Sequence, residues 1–433
     1  MNDTTFLYKD TSGNPALYCE DVLLAGLAAK FGTPLYVYSK AQILRNIRKF
    51  KSLFAEGDSN YVSYAIKANS NPEILTILAG EGAGASVVSG GELRAALKAG
   101  FDPKKITFDG PGKTDEEITL ALRSGIFAID IESIQELSVV NDIAASLGMK
   151  ASICIRVNPH IDAKTHPYIS TGLSHNKFGI PFENAFEAYL LAHSLSHIEI
   201  SGIHCHIGSQ ITTLEPFIES AESIAQFISE LKIKEGIEIR HINFGGGIGV
   251  KYHSSVSHKF LDDKTETPLP PIFTEKDFQD AIFPILSGTG CTFNFEPGRA
   301  IIADAGVLLA KTLYTKSNME KHFVIIDASM TDLIRPSLYH AYHQIAPLSL
   351  TKGTPLVTYD VVGPVCESTD FLAQDRSLPK MERGDLLAIL STGAYSYVLA
   401  SNYNLRTRAA EVLVEGNSYR IIRKRERIED IIA

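Results

Sequence analysis

The chain has few cysteines and none arranged in pairs. Cys19, Cys154, Cys205, Cys291 and Cys366 lie far apart in 433 residues, with no CxxC spacing. That argues against a disulfide framework and against a finger-type metal site, and reads as reduced thiols of a cytoplasmic protein. No apolar run approaches the length of a membrane span. The opening MNDTTFLYKD lacks the basic start and apolar middle of a signal peptide. Positive charge is also short: 41 Lys and Arg stand against 50 Asp and Glu, for a formal net charge of -9. With no basic stripe, a nucleic-acid role is disfavoured. What is present is ordinary for a soluble globular protein, 45% hydrophobic and 21% charged residues. The length allows two domains, one of them a barrel of about 250 residues.

After the first ~35 residues a regular pattern begins. Strand ends fall at Lys67, Val88, Asp109 and Asp130, each 21 residues beyond the last. A short constant step means one strand and one helix per unit. The helix starts agree, since Ser89 to Glu92, Thr114 to Glu117 and Ser133 to Glu136 all fit the S/T-x-x-E capping box. Gly100, Gly125 and Gly148 stand where the helices should stop. Four further strands are expected at residues 151–157, 198–207, 237–244 and 292–296, with helices near 181–195, 215–231 and 275–286. Eight alternating units predict a (β/α)₈ TIM-like barrel, with an open doubly wound sheet as the alternative. Beyond Glu296 the alternation ends, and strands at 324–326, 357–362, 386–389 and 411–414 predict a β-rich C-terminal domain. The boundaries expected are a barrel over 36–300, with 1–35 and 301–433 forming the β-rich domain.

Chemistry in a barrel of this kind sits at the C-terminal strand ends. These ends carry Lys67, Ser86 to Ser89, Asp109, Asp130, Arg156 with Asn158, His204 and His206, Gly245 to Gly247, and Glu296 with Arg299. Lys67 is either a solvated strand-end charge or an amine in a dry site, where it loses its proton more readily and condenses with an aldehyde. The GGGIG stretch is a tight turn or a cradle for phosphate, and it does not fit the GxGxxG fingerprint. His204 and His206 point to one face, either as core histidines or with His206 flat against a planar ring. A metal would need a third ligand, and none is placed by spacing. Glu296 either pairs with Arg299 or aims its carboxylate at a pyridine nitrogen.

Taken in order, YAIKANSNP, GASVVSGGEL, FDGPGKTDEEI, HNKFGI, GIHCHIGSQ, NFGGGIGV, FEPGR, IRPSLY, GPVCESTD, STGAYSYV and NYNLRTR resemble the fold-type III pyridoxal-phosphate decarboxylases, over nearly the whole chain. That likeness implies the two-domain, alanine-racemase-like architecture and pyridoxal 5'-phosphate as cofactor, with no metal. It implies that Lys67 carries the cofactor, that His206 stacks on its ring and that Glu296 pairs with the ring nitrogen. Ser209, Gly246, Gly247, Pro297, Gly298, Arg299 and Tyr395 would complete the cofactor site. Arg299, Arg335, Tyr339, Glu367 and Tyr395 would contact substrate, and Cys366 would donate the proton, its loop coming from the second subunit of a homodimer. The likeness is strongest to the members acting on meso-diaminopimelate. A distal carboxylate would pair with the two arginines and a distal amine with Glu367. The racemase reading is disfavoured by Glu296, and a cofactor-free binding protein by the retention of Lys67, the glycines, Glu296 and Cys366. Two positions depart from the pattern, Ser86 for aspartate and Thr407 for proline.

Overall fold

The computed structural model describes residues 4–432 except 12, 56–58, 160, 162–175, 254–255 and 257–271. Two compact units result, one of Ile47–Gly249 with Pro271–Gly298, the other of Met1–Asn46, Val250–Pro270 and Arg299–Ala433.

The first unit is a closed barrel. Its strands are β1 (Tyr61–Ala65), β2 (Gly84–Val87), β3 (Ile106–Phe108), β4 (Ala128–Ile131), β5 (Ala151–Asn158), β6 (Ile198–His204), β7 (His241–Asn243) and β8 (Thr292–Phe295). All neighbours are parallel, and β8 returns to β1 through Asn294 opposite Tyr61 and Phe295 opposite Val62. That closure excludes the open sheet. The strands are short and buried on both faces, so they read as apolar runs rather than alternations. The helices begin where the caps predict. Ser89 and Ser133 accept from the amides of Glu92 and Glu136, and Thr114 with Glu117 forms a reciprocal capping box. In the two serine cases the glutamate reaches one residue further back, to the amides of Val88 and Glu132, and so ties the strand end to the helix start. Outside the barrel wall, Phe54, Phe278, Phe283, Phe293 and Phe295 stack between the strands and helix Glu275–Ser287.

The second unit is β-rich, as expected, and its sheet includes Leu35–Ser39, Gly306–Asn318, Lys321–Ile326, Leu356–Val362, Phe371–Pro379, Leu386–Ile389 and Ala410–Glu415. The first ~35 residues belong to it: Leu17 donates to the Leu348 carbonyl at 2.8 Å, and Leu17, Leu24, Val307, Leu348 and Val412 share one core. The expected boundary at 36 differs from the one found. Leu35–Ser39 is a central strand of this sheet, antiparallel to Gly306–Leu309 and parallel to Ala410–Val414. The helix after it is fastened to the same unit through Asn46, which donates to the Ile301 carbonyl and to Asp304. An isolated run such as LYVYS is buried on both faces in either sheet, so its pattern carries no sign of which sheet it joins. Most of the polar 251–271 segment lies outside the described residues. Among the described residues no helix is long and apolar enough to cross a membrane.

Candidate active site

Lys67 lies in a single 3-10 turn, Ile66–Ala68, directly after β1. Asn71 caps helix Pro72–Gly80 by accepting from the Glu73 amide, with Pro72 supplying a preset φ at the first position. Tyr64 Oη donates to the Asn69 carbonyl, which holds the turn from below. The lysine charge is felt by Glu92, Asp109, His204, His206 and Glu296, so the amine and these groups share one end of the barrel.

Glu296 is buried just past β8. Its Oε1 accepts from Thr107 Oγ1 at 2.8 Å and from Asn243 Nδ2 at 2.7 Å. Oε2 stands 4.0 Å from His204 Nε2. Burial, with the nearby charge of Asp109, pushes its pKa up to about 8, against the pull of the two donors and of Lys67. Such a carboxyl takes up charge when a cation is set against it. His204, by contrast, is driven down to about 3 by burial and is neutral. The two histidines thus do different things: His204 faces the acids, while His206 turns to the glycine loop.

That loop is close-fitted. Gly246 donates to His206 Nδ1 at 3.1 Å, and burial holds the His206 imidazole well below its usual pKa. The ring is therefore neutral, with Nδ1 as acceptor. A Cβ on Gly246 would collide with the Glu296 carbonyl oxygen. One on Gly247, at φ +104°, would collide with that of Gly208. Ile211 donates to the Gly247 carbonyl and Gly249 to that of Ile211, both at 2.9 Å, so the GSQ and GGGIG loops are zipped together. Ser209 is on the first of these loops, and Pro297 and Gly298 follow Glu296, with Gly298 against Ala65 and Ala68. A close-fitted glycine loop, a flat neutral ring, an amine and a chargeable acid fit a phosphorylated pyridine aldehyde. Arg156 is not part of this set. It pairs with Glu132 at 2.7 Å, and Glu132 also accepts from Gly110 and Gly179, a loop clamp that the sequence reading missed.

The remaining expected residues lie in the second unit. Arg299 Nη1 donates to Tyr252 Oη at 2.6 Å, and its guanidinium lies 4.9 Å from the Tyr395 ring. Arg335 opens a short helix, Arg335–Tyr339, which also carries Tyr339, and its guanidinium lies 4.6 Å from the Tyr252 ring. Arg335 Nη1 also meets His343 Nε2 at 2.8 Å, which marks His343 as an acceptor held by the Leu390 carbonyl. Both arginines are buried. Burial would raise the Tyr252 hydroxyl, but the two guanidiniums outweigh it and lower it. Tyr395 has a positive φ of 54°. Cys366 and Glu367 are exposed on the GPVCESTD loop. Asp370 fixes that loop by accepting from the amides of Val365 and Met330, Asn404 accepts from the Cys366 amide, and Tyr403 Oη donates to Glu367 at 2.5 Å. Tyr252, His343, Tyr403 and Asn404 were not singled out by the sequence. NYNLRTR was the available signal for the last two.

Residues 40–303 match the model for the pyridoxal-dependent decarboxylase family, pyridoxal binding domain. Diaminopimelate decarboxylase from Pseudomonas aeruginosa is 46% identical over 429 residues, covering 99% of this chain and 98% of that protein. The enzyme of that name from Aquifex aeolicus is 45% identical, covering 96% of this chain and 94% of its own. A crystal structure of diaminopimelate decarboxylase from M. jannaschii with L-lysine superposes with a TM-score of 0.90 at 40% identity, covering 100% of this chain and 97% of that one.

Proposed function

From a chain that belongs to the pyridoxal-dependent decarboxylases, and among them to the diaminopimelate decarboxylases, we propose the decarboxylation of meso-2,6-diaminopimelate to L-lysine and carbon dioxide, the last step of lysine biosynthesis. The cofactor is pyridoxal 5'-phosphate, which when bound supplies the electron sink for the pair left as the carboxylate departs. Lys67 offers the amine that takes its aldehyde. His206 presents a neutral ring face, and Gly246 and Gly247, with no side chains, let the backbone close on its phosphate beside Ser209 and the residues after Glu296. Glu296 takes up negative charge against the ring nitrogen and so keeps that nitrogen protonated.

Arg299 and Arg335 hold the carboxylate at the far amino-acid centre, with Tyr339 and Tyr395 beside them, and Glu367 takes the far amine. Cys366 Sγ–H gives its proton to the α-carbon. The observation that carries the substrate reading is the pair of buried guanidiniums about one phenol. Arg335 makes no ion pair among the described residues, and a desolvated cation needs an anion. Lysine and ornithine lack the second carboxylate and would leave the arginines without it, a cost of roughly a few kcal/mol. Measuring carbon dioxide and lysine formed from meso-diaminopimelate, L-lysine and L-ornithine tests the proposal. Only the first should turn over efficiently, and an Arg335→Ala variant that keeps that preference would end the account of specificity.

The protein works as a cytoplasmic homodimer in this reading. Cys366 and Glu367 are exposed, and so are the large apolar side chains of Leu399, Tyr403 and Leu405, an arrangement suited to cover by a second copy. Sedimentation of wild type and Leu405→Glu tests it; a wild-type monomer that is fully active would refute it.

A further inference from the structure

Beside Glu296 stands a set of buried groups with no part in the chemistry so far. Asp109, just past β3, Asp130 in β4 and His204 at the end of β6 each bring one atom into a group lying mutually within 4.8 Å. All three are buried. Ser86 Oγ donates to Asp109 Oδ2, and Asn243 Nδ2 donates to Asp130 Oδ2 at 3.1 Å. The other two oxygens, Asp109 Oδ1 and Asp130 Oδ1, have no donor among the described residues. His204 Nδ1 is 2.9 Å from Asp130 Oδ2 but not in hydrogen-bond geometry, and neither ring nitrogen has a hydrogen-bond partner among the described residues. The amide of Asn243 that reaches Asp130 also reaches Glu296.

Two carboxyl groups this close in a dry interior cannot both be charged, and a donor is missing. The nearby cations do not remove the conflict. Arg156 is paired with Glu132, and Lys113 with Glu136 and the carbonyls of Gly110 and Asp130. That leaves Lys67 to balance one anion. Cys154, the thiol against Asp130, is kept protonated by burial, and burial likewise favours the protonated form of Glu92.

We propose that Asp109 and Asp130 share a single proton, with Asp130 the acid and Asp109 the anion, and that this pair acts as a positioning device for the charge of Glu296. Burial and the charge of Asp109 raise Asp130. Donation of the shared proton by Asp130, with the charge of Lys67 and the Ser86 hydroxyl, outweighs burial and lowers Asp109. The anion keeps Glu296 reluctant to ionise until a cation faces it. The inference rests on the reading of Glu296 as partner of the ring nitrogen.

The two acids are distinguished by neutral replacement. Asp130→Asn offers N–H donors in place of the shared proton, whereas Asp109→Asn deletes the anion. In the cofactor-free protein, infrared spectra at neutral pH should show a protonated-carboxyl band that weakens in Asp130→Asn. In the loaded protein, the pH midpoint of the visible absorbance should fall by about one unit or more in Asp109→Asn, since a stabilising negative charge is lost, and stay near wild type in Asp130→Asn. Equal shifts in the two variants, or an unchanged infrared band in Asp130→Asn, overturn the proposal. The infrared comparison decides alone should Asp109→Asn not fold. Failure of the underlying reading shows separately, as a Glu296→Gln variant with unaltered cofactor absorbance.

Discussion

At the scale of single residues, the site depends on atoms that approach too closely to admit substitution. Gly246→Ala would drive a methyl group into the Glu296 carbonyl oxygen. The expected result is a loss of about 1–3 kcal/mol in stability from overpacking, with weaker cofactor retention on gel filtration. Tyr403→Phe removes the hydroxyl that holds Glu367. KM for diaminopimelate should rise about tenfold, in line with loss of a hydrogen bond to a charged group, while cofactor absorbance is unchanged. Lys67, His206 and Glu296 were legible in the sequence because each ends a strand and sits in a motif with its own signature. Tyr252 was not, since it falls in a polar segment with no periodicity, and its use depends on two arginines distant in the chain. Asp130 looked like any polar strand-end residue. Only the closed barrel brings it to Asp109 and His204.

At the scale of elements, the strand-helix unit was readable because capping chemistry is local. Asn71→Ala tests that locality: it removes the acceptor for the Glu73 amide and should cost about 1 kcal/mol in urea unfolding. Because the same cap stands three residues after the turn of Lys67, cofactor dissociation should also quicken. Phe295→Ala should cost more, about 3–5 kcal/mol, because the ring is buried among five other phenylalanines. Two of the strands that escaped the sequence reading, Leu35–Ser39 and Gly306–Asn318, pair with partners hundreds of residues away or follow the barrel without a turn signal. Nothing local distinguishes them from barrel strands.

At the scale of the molecule, acid should unfold this protein earlier than its net charge suggests. Burial holds His204 near 3 and His241 near 4, against an ordinary value of 6.5. Their pKa values are depressed on folding, so the unfolded chain binds more protons below pH 6.5, and stability is lost as pH falls from there. Each histidine contributes a slope of about 1.4 kcal/mol per pH unit over that window. Urea unfolding at pH 7, 6 and 5 should show the decline, and His241→Asn should flatten part of it. A further consequence lies in the bond from the Gly246 amide to His206 and in the pairing of Ile211 with Gly247 and Gly249. Two stretches forty residues apart are in effect a single machined part. Anyone transplanting this cradle into another scaffold would have to graft both segments as one cassette, because either alone would arrive without its counterpart and lose its shape.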